Sequence, residues 1–236
     1  MVQSTSLSVS VGPAFAALRG HAGHDPDSCA PDSCETAETD QTDDADKTDK
    51  TDKEDEIVIC DDFSDEETQF VIQSWAQQYG HAKVIKVYKR HLEGDFASQK
   101  NSIIDNSDGD YIFHIDADEY PHEVLLRDIK QVLEMNDGVD LIWIPRVNTV
   151  EGMTQEHIQK WGWRVTEKGW VNFPDYQARV FRRDKNIRWT RPLHEHITGC
   201  KTYSHLPPYE ELSLYHPKTI QKQEQEVEKA LEFGAF

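Results

Sequence analysis

The 236-residue sequence has few cysteines, no long apolar run and no basic stripe, and each shortage excludes a class of protein. Its four cysteines, Cys29, Cys34, Cys60 and Cys200, fall at spacings that fit neither a zinc ligand set nor a disulfide framework. Cys60 lies in an apolar run, where a reduced thiol packs as a small hydrophobe; this agrees with a reducing, cytoplasmic setting. No stretch of 18 or more apolar residues occurs, so no membrane span is predicted. The stretch LSVSVGPAFAAL (residues 7–18) has the apolar character of a signal core. It lacks a basic region ahead of it and contains Gly12-Pro13, which argues against cleavage. Lys and Arg number 25 against 44 Asp and Glu, a formal net charge of -19. Nothing there offsets phosphate repulsion, so nucleic acid is not an expected partner.

The acid is unevenly spread. Residues 1–56 hold 14 acidic and 4 basic residues, so the remainder of the chain is only mildly acidic. Residues 24–56 are Asp- and Thr-rich with a short Thr-Asp-Lys repeat and almost nothing apolar to offset chain entropy. The expectation is a disordered acidic tail over residues 1–55, either a solvated linker or a cation-binding segment, followed by a globular domain over residues 56–236.

Beyond Glu56 the apolar pattern is that of an α/β domain. IVIC (57–60), KVIKVY (83–88), YIFHI (111–115) and DLIWIP (140–145) are short apolar runs of the kind buried strands show. Helical spacing lies between them: from Ser64, with Glu67 as a capping-box partner, to Tyr79; over 95–107; and from Pro121 to Met135, where Leu125, Ile129, Val132 and Leu133 recur on one face. Strand and helix in alternation predict a mostly parallel sheet flanked by helices. QARVFRR and NIRW read as further strands, and a polar helix over about 217–233 closes the chain.

Ligands of such sheets bind at the carboxyl ends of the strands. Asp61–Asp62 and Asp116–Asp118 both fall there. In an extended segment residues i and i+2 point to one side, so Asp116 and Asp118 are expected to face the rim together. Paired carboxylates with room for water suit Mg²⁺ or Mn²⁺, usually shared with substrate phosphates. The other reading is an acidic turn that caps the helix at Pro121.

The blocks EIVICDDFSDEET, FASQKNSIIDNSDGDYIFHIDADEYP and PDYQARVFRRDKNIRWTRPLHEHI, in that order, resemble a family 2 glycosyltransferase of the GT-A fold, and within it the lipopolysaccharide-core β-1,4-glucosyltransferase-like branch. The resemblance implies an inverting, metal-dependent transfer from a nucleotide sugar, UDP-linked by family habit, to a glycan, lipid-linked or protein acceptor. It implies that Asp62 accepts from the base, with Asp61 supporting that turn. Lys100 lies near the nucleotide or phosphates, and Asn101 fixes its helix. Asp116 contacts the ribose or supports the metal, Asp118 ligates the metal, and Glu119 assists through water. Asp175, Gln177 and Arg179 line the donor or acceptor site, with a plain salt bridge as the alternative for Arg179. Inverting transfer also needs a base. Glu195, expected to be desolvated beside Trp189 and Leu193, is the candidate. His194 and His196 compete for that role, and His194 is also a candidate for contact with metal or diphosphate.

The family normally begins with a strand and helix ahead of the DD strand, and the acidic tail stands in their place. That departure keeps a second reading open, a catalytically inactive GT-A-like domain that binds a sugar or a partner. A third reading, a metal-dependent phosphohydrolase, gives DDFSDEET no role.

Overall fold

The computed structural model describes residues 6–11, 55–81 and 83–232. Along them run β1 (Ser6–Val11), β2 (Glu56–Asp61), α1 (Glu66–Tyr79), β3 (Val84–Lys89), α2 (Phe96–Asp105), β4 (Tyr111–Asp116), β5 (Tyr120–Pro121) and α3 (Glu123–Met135). Then follow β6 (Leu141–Ile144), β7 (Arg146–Glu151), α4 (Gln155–Trp161), β8 (Gln177–Arg182), β9 (Arg188–Thr190), β10 (His196–Thr198), β11 (Tyr203–His205), β12 (Leu214–Thr219) and α5 (Ile220–Glu232).

Seven strands form the main sheet in the order β11-β6-β8-β4-β1-β2-β3. The four runs predicted as strands, β2, β3, β4 and β6, are all in it and all point the same way, as does β11. The sheet is nevertheless mixed, not mostly parallel in its pairing. β1 and β8 run against the others and separate them, so only β2–β3 and β6–β11 are hydrogen-bonded in parallel.

β1 also corrects the reading of the N-terminus as wholly structureless. Ser6–Val11 pairs with β2 on one side (Ser6 opposite Cys60) and with β4 on the other (Ser6 opposite Asp116). A strand therefore does precede the DD strand, and it lies between β2 and β4. Both neighbours need this strand, because buried backbone N–H and C=O groups must find partners. The low-complexity stretch 24–54 lies outside the described residues.

Two apolar layers cover the sheet. On one face α3 contributes Leu125, Ile129, Val132 and Leu133 against Phe113 and Ile115 of β4, Ile142 and Ile144 of β6, and Val180 of β8. Each such buried side chain stabilises by about 1.5–3 kcal/mol. On the other face Ala97 and Ile104 of α2 meet Ile112, Leu141, Phe181, Ile187 and Trp189. α1 buries no residue fully and leaves Phe70 and Trp75 exposed.

Two helix starts differ from expectation. Asp65, not Ser64, caps α1, accepting from Thr68 N at 2.8 Å. Pro121 sits in β5 opposite Leu214, and His122 caps α3 through Nδ1, 3.1 Å from Val124 N. At Pro121 a tertiary contact, the pairing with Leu214, claims the residue that local sequence would put at the helix start; at Ser64 the shift is local, its N–H donating to Asp61 within the turn. A three-stranded sheet, β5-β12-β7, carries α5 and stands beside the end of β4; β9 and β10 form a separate hairpin.

Candidate active site

The rim begins where β2 ends. Asp61 is buried and accepts from Ser64 N at 3.0 Å, which closes the turn after the strand. Asp62 accepts from Leu92 N at 3.0 Å and lies 3.6 Å from His91 Nδ1. Next to it the Phe63 ring stacks on His91 at 3.9 Å between centroids, half exposed.

The end of β4 does not stay extended. Residues 117–118 form a turn, closed by Glu119 N donating to Asp116 O at 2.9 Å. The expectation that Asp116 and Asp118 share one face fails for this reason. Asp116 turns toward Arg179 Nη2, with Lys100 Nζ and His114 Nε2 each 3.3 Å away. Glu119, expected to work through water, is buried. It accepts from Arg179 Nε at 2.9 Å and Nη2 at 2.8 Å, and from Arg146 Nη1 at 2.7 Å. Arg146 continues the chain to Asp175 at 2.6 and 3.0 Å, and Asp175 also accepts from Asn148 and Gln177. Of the two roles open for Arg179, the geometry is that of a buried ion-pair residue.

Burial alone would push these carboxyls up. For Asp116 the Arg179 guanidinium, with His114 and Lys100 behind it, reverses that and holds the group well below the ordinary range. Against the same effect of burial, Arg179 lowers Glu119 and Arg146 lowers Asp175. His114, fully buried, is pushed down by desolvation and so stays neutral near pH 7.

Asp118 faces the other way, partly open to solvent. Its Oδ2 lies 3.3 Å from His216 Nε2 and 3.0 Å from Lys222 Nζ. The His216 hydrogen bond, with Lys222 beside it, lowers its carboxyl against the opposing effect of burial. His194 is not the histidine at this carboxylate: it is exposed, in the loop before β10, with left-handed backbone (φ 52°). Among the described residues no three His, Cys, Asp or Glu side chains converge as a metal cage. Asp118 and His216 are the two side chains at this rim that could hold a divalent cation, the remaining ligands having to come from outside the protein.

Glu195 reaches the same rim from the far end of the sequence. Its Oε1 is 2.6 Å from Lys100 Nζ, and that buried ammonium also sits 4.5 Å over the Trp189 ring. The bare desolvated carboxylate expected beside Trp189 is instead a paired one. α2 anchors the whole arrangement. Asn101 Nδ2 donates to Trp189 O at 2.8 Å and Asn101 Oδ1 accepts from Trp189 N at 2.9 Å, clamping β9 to the helix. Phe96 N donates to Pro192 O at 3.0 Å, holding the loop that carries His194 and Glu195. His196 faces Thr190 within the hairpin, 3.4 Å from Oγ1, and takes no part in this cluster.

Two cavities open along β7 and β12, the first of them against His216. One, of about 170 Å³, is lined by Arg146, Asn148, Trp163, Asn172, His216 and Gln223 among others; the second, of about 580 Å³, is bordered by Lys168, Lys218, Thr219 and Lys222. Sequence reasoning missed Arg146, Trp163, His216 and Lys222. Arg146, His216 and Lys222 carry no motif spacing in their own stretches and reach the site because β7 and β12 pair in parallel beside the end of β4, with α5 following β12; Trp163 comes from the segment after α4.

The sequence model described as "Glycosyl transferase family 2" matches residues 41–206, more than half of the chain. No curated protein matches. No helix of the described residues is long and apolar enough to cross a membrane.

Proposed function

Because this chain belongs to glycosyl transferase family 2, we propose that it moves a sugar from a UDP-linked donor to a hydroxyl of a glycan, lipid-linked or protein acceptor, with inversion at the anomeric carbon. A hexose transfer of the lipopolysaccharide-core β-1,4-glucosyltransferase kind is the finer form of this reading. The observation that carries it is the meeting at Lys100: one buried ammonium lies 3.3 Å from Asp116 and 2.6 Å from Glu195, so the candidate base stands at the donor rim.

In this reading Asp62 accepts from the base N–H, and the exposed Phe63–His91 stack beside it offers the base a flat apolar face. Asp118 and His216 would hold Mn²⁺ or Mg²⁺, which supplies positive charge to the diphosphate leaving group. Glu195 takes the proton of the acceptor hydroxyl while the oxygen forms its bond to the anomeric carbon and the diphosphate oxygen departs with the electron pair of the breaking bond. Lys100 positions Glu195 and Asp116 relative to each other. The smaller cavity, with Trp163 and the amides of Asn148, Asn172 and Gln223, has the composition that takes a sugar ring. Asp175, Gln177 and Arg179 support that wall through Arg146 and Asn148 and need not touch substrate.

The inactive alternative rested on the lack of a strand and helix ahead of the DD strand; β1 supplies a strand ahead of it, paired with β2 and β4. The test is calorimetric titration of UDP with and without Mn²⁺. The parent should bind UDP more tightly with the metal, and Asp118→Ala should lose that increment while keeping its melting temperature. A variant that binds UDP with Mn²⁺ as well as the parent does overturns the metal assignment.

A further inference from the structure

Lys168, Lys218 and Lys222 border the 580 Å³ cavity. Two of the three have partners of their own away from the rim: Lys168 pairs with Glu210 at 2.6 Å and Lys218 with Glu226 at 2.5 Å. Lys222 does not. Its Nζ sits 3.0 Å from Asp118 Oδ2, the same oxygen that faces His216 Nε2 at 3.3 Å. Lys222 therefore holds the carboxylate that the preceding reading gives to a divalent cation, on the oxygen that cation would use.

A metal–carboxylate bond is about 2.1 Å long. A dication bound that closely to Oδ2 would crowd and repel an ammonium 3.0 Å from the same atom. The two cannot share it as drawn. Lys222 lies in the first turn of α5, its backbone N 3.2 Å from Thr219 Oγ1, and its side chain is nearly half exposed, with the cavity beside it to move into. Once displaced from Asp118, its nearest use is the anion that arrives with the metal.

The geometry points to Lys222 as a substrate-gated cation. It neutralises Asp118 while the site is empty, and it transfers to the donor diphosphate when metal and nucleotide bind. Lys222 is thus a residue that touches substrate, supplied by the C-terminal helix. It makes metal and nucleotide binding mutually dependent, because each opens the place the other needs. This inference rests on the donor-binding reading above.

The experiment uses the full chain and two probes, Mn²⁺ alone and UDP at saturating Mn²⁺, with parent, Lys222→Ala and Lys222→Arg. A competitor's removal should tighten Mn²⁺ alone by several-fold in Lys222→Ala. Loss of one charge-assisted contact should weaken UDP by about tenfold in the same variant. Lys222→Arg should restore UDP binding, and neither change should move the melting temperature appreciably. Opposite signs for the two probes are the signature, since a merely structural role would move both the same way. Unchanged or weaker Mn²⁺ binding in Lys222→Ala, or unchanged UDP binding, overturns the assignment. A parent that binds no UDP under any condition overturns the donor reading and this inference with it; a parent that binds while Lys222→Ala matches it overturns this inference alone.

Discussion

Asp116 and Asp118 leave the same strand two residues apart and end in opposite surroundings. Asp116 enters a closed network in which Arg179 and Arg146 join it to Glu119 and Asp175, and Lys100 joins it to Glu195. Asp118 stays at the surface, where one histidine and one flexible lysine face it. The first side is built: each charge has several fixed partners, so its residues hold shape. The second is open, and its partners can be exchanged for a ligand at little structural cost. A pair that looks symmetrical as Asp-Ala-Asp thus divides into a closed half and an open half.

The strongest way to break this comparison is Arg179→Met. It strands Glu119 and Asp116 without their main counter-charge, and breaking a buried pair from one side costs about 3–5 kcal/mol. Urea denaturation should show that loss. A change below about 1 kcal/mol, like that of a surface pair, would erase the distinction between the two sides.

Glu195→Gln sharpens it from the catalytic direction. Shape is retained and the proton acceptor is gone, so transfer should fall by about 10²–10⁴-fold with donor affinity nearly unchanged. Titrating UDP against the same variant separates the roles: if UDP binding falls with turnover, Glu195 belongs to the donor site.

Acid should also act on the closed side, in two steps. Burial lowers His114 from 6.5, so the unfolded chain binds that proton first and stability begins to fall as pH drops below 6.5. The depressed carboxyls of Glu119, Asp116 and Asp175 contribute stability that is complete above their ordinary values of 4.5 and 3.8 and is lost as pH falls through the lower folded values. Denaturation midpoints from pH 7 to 3 should show both regions. His114→Gln should remove the slope that begins below pH 6.5 and leave the lower one. A stability curve flat from pH 7 to 3 would contradict the network.

Sequence alone determined the parts of this protein that depend on local pattern. The four apolar strands beginning near 57, 83, 111 and 140, the face of α3, and the rim carboxylates at 61–62 and 116–118 follow from periodicity and from where strands must end. Glu195 followed from the family resemblance of PLHEHI, and only the folded chain joins it to the rim, through Lys100. The tertiary structure decided everything that rests on contact between distant segments. The Ser6–Val11 run, placed by its sequence in the acidic tail, is a central strand because β2 and β4 each needed a hydrogen-bonding neighbour. Glu119 and Arg179 became mutual partners across the sheet because a buried charge must be matched. His216 and Lys222 took the place beside Asp118 because β12 pairs with β5 and β7, a register that no spacing in their own stretch encodes. Local pattern fixes which face a residue shows; only the folded chain fixes what it meets there.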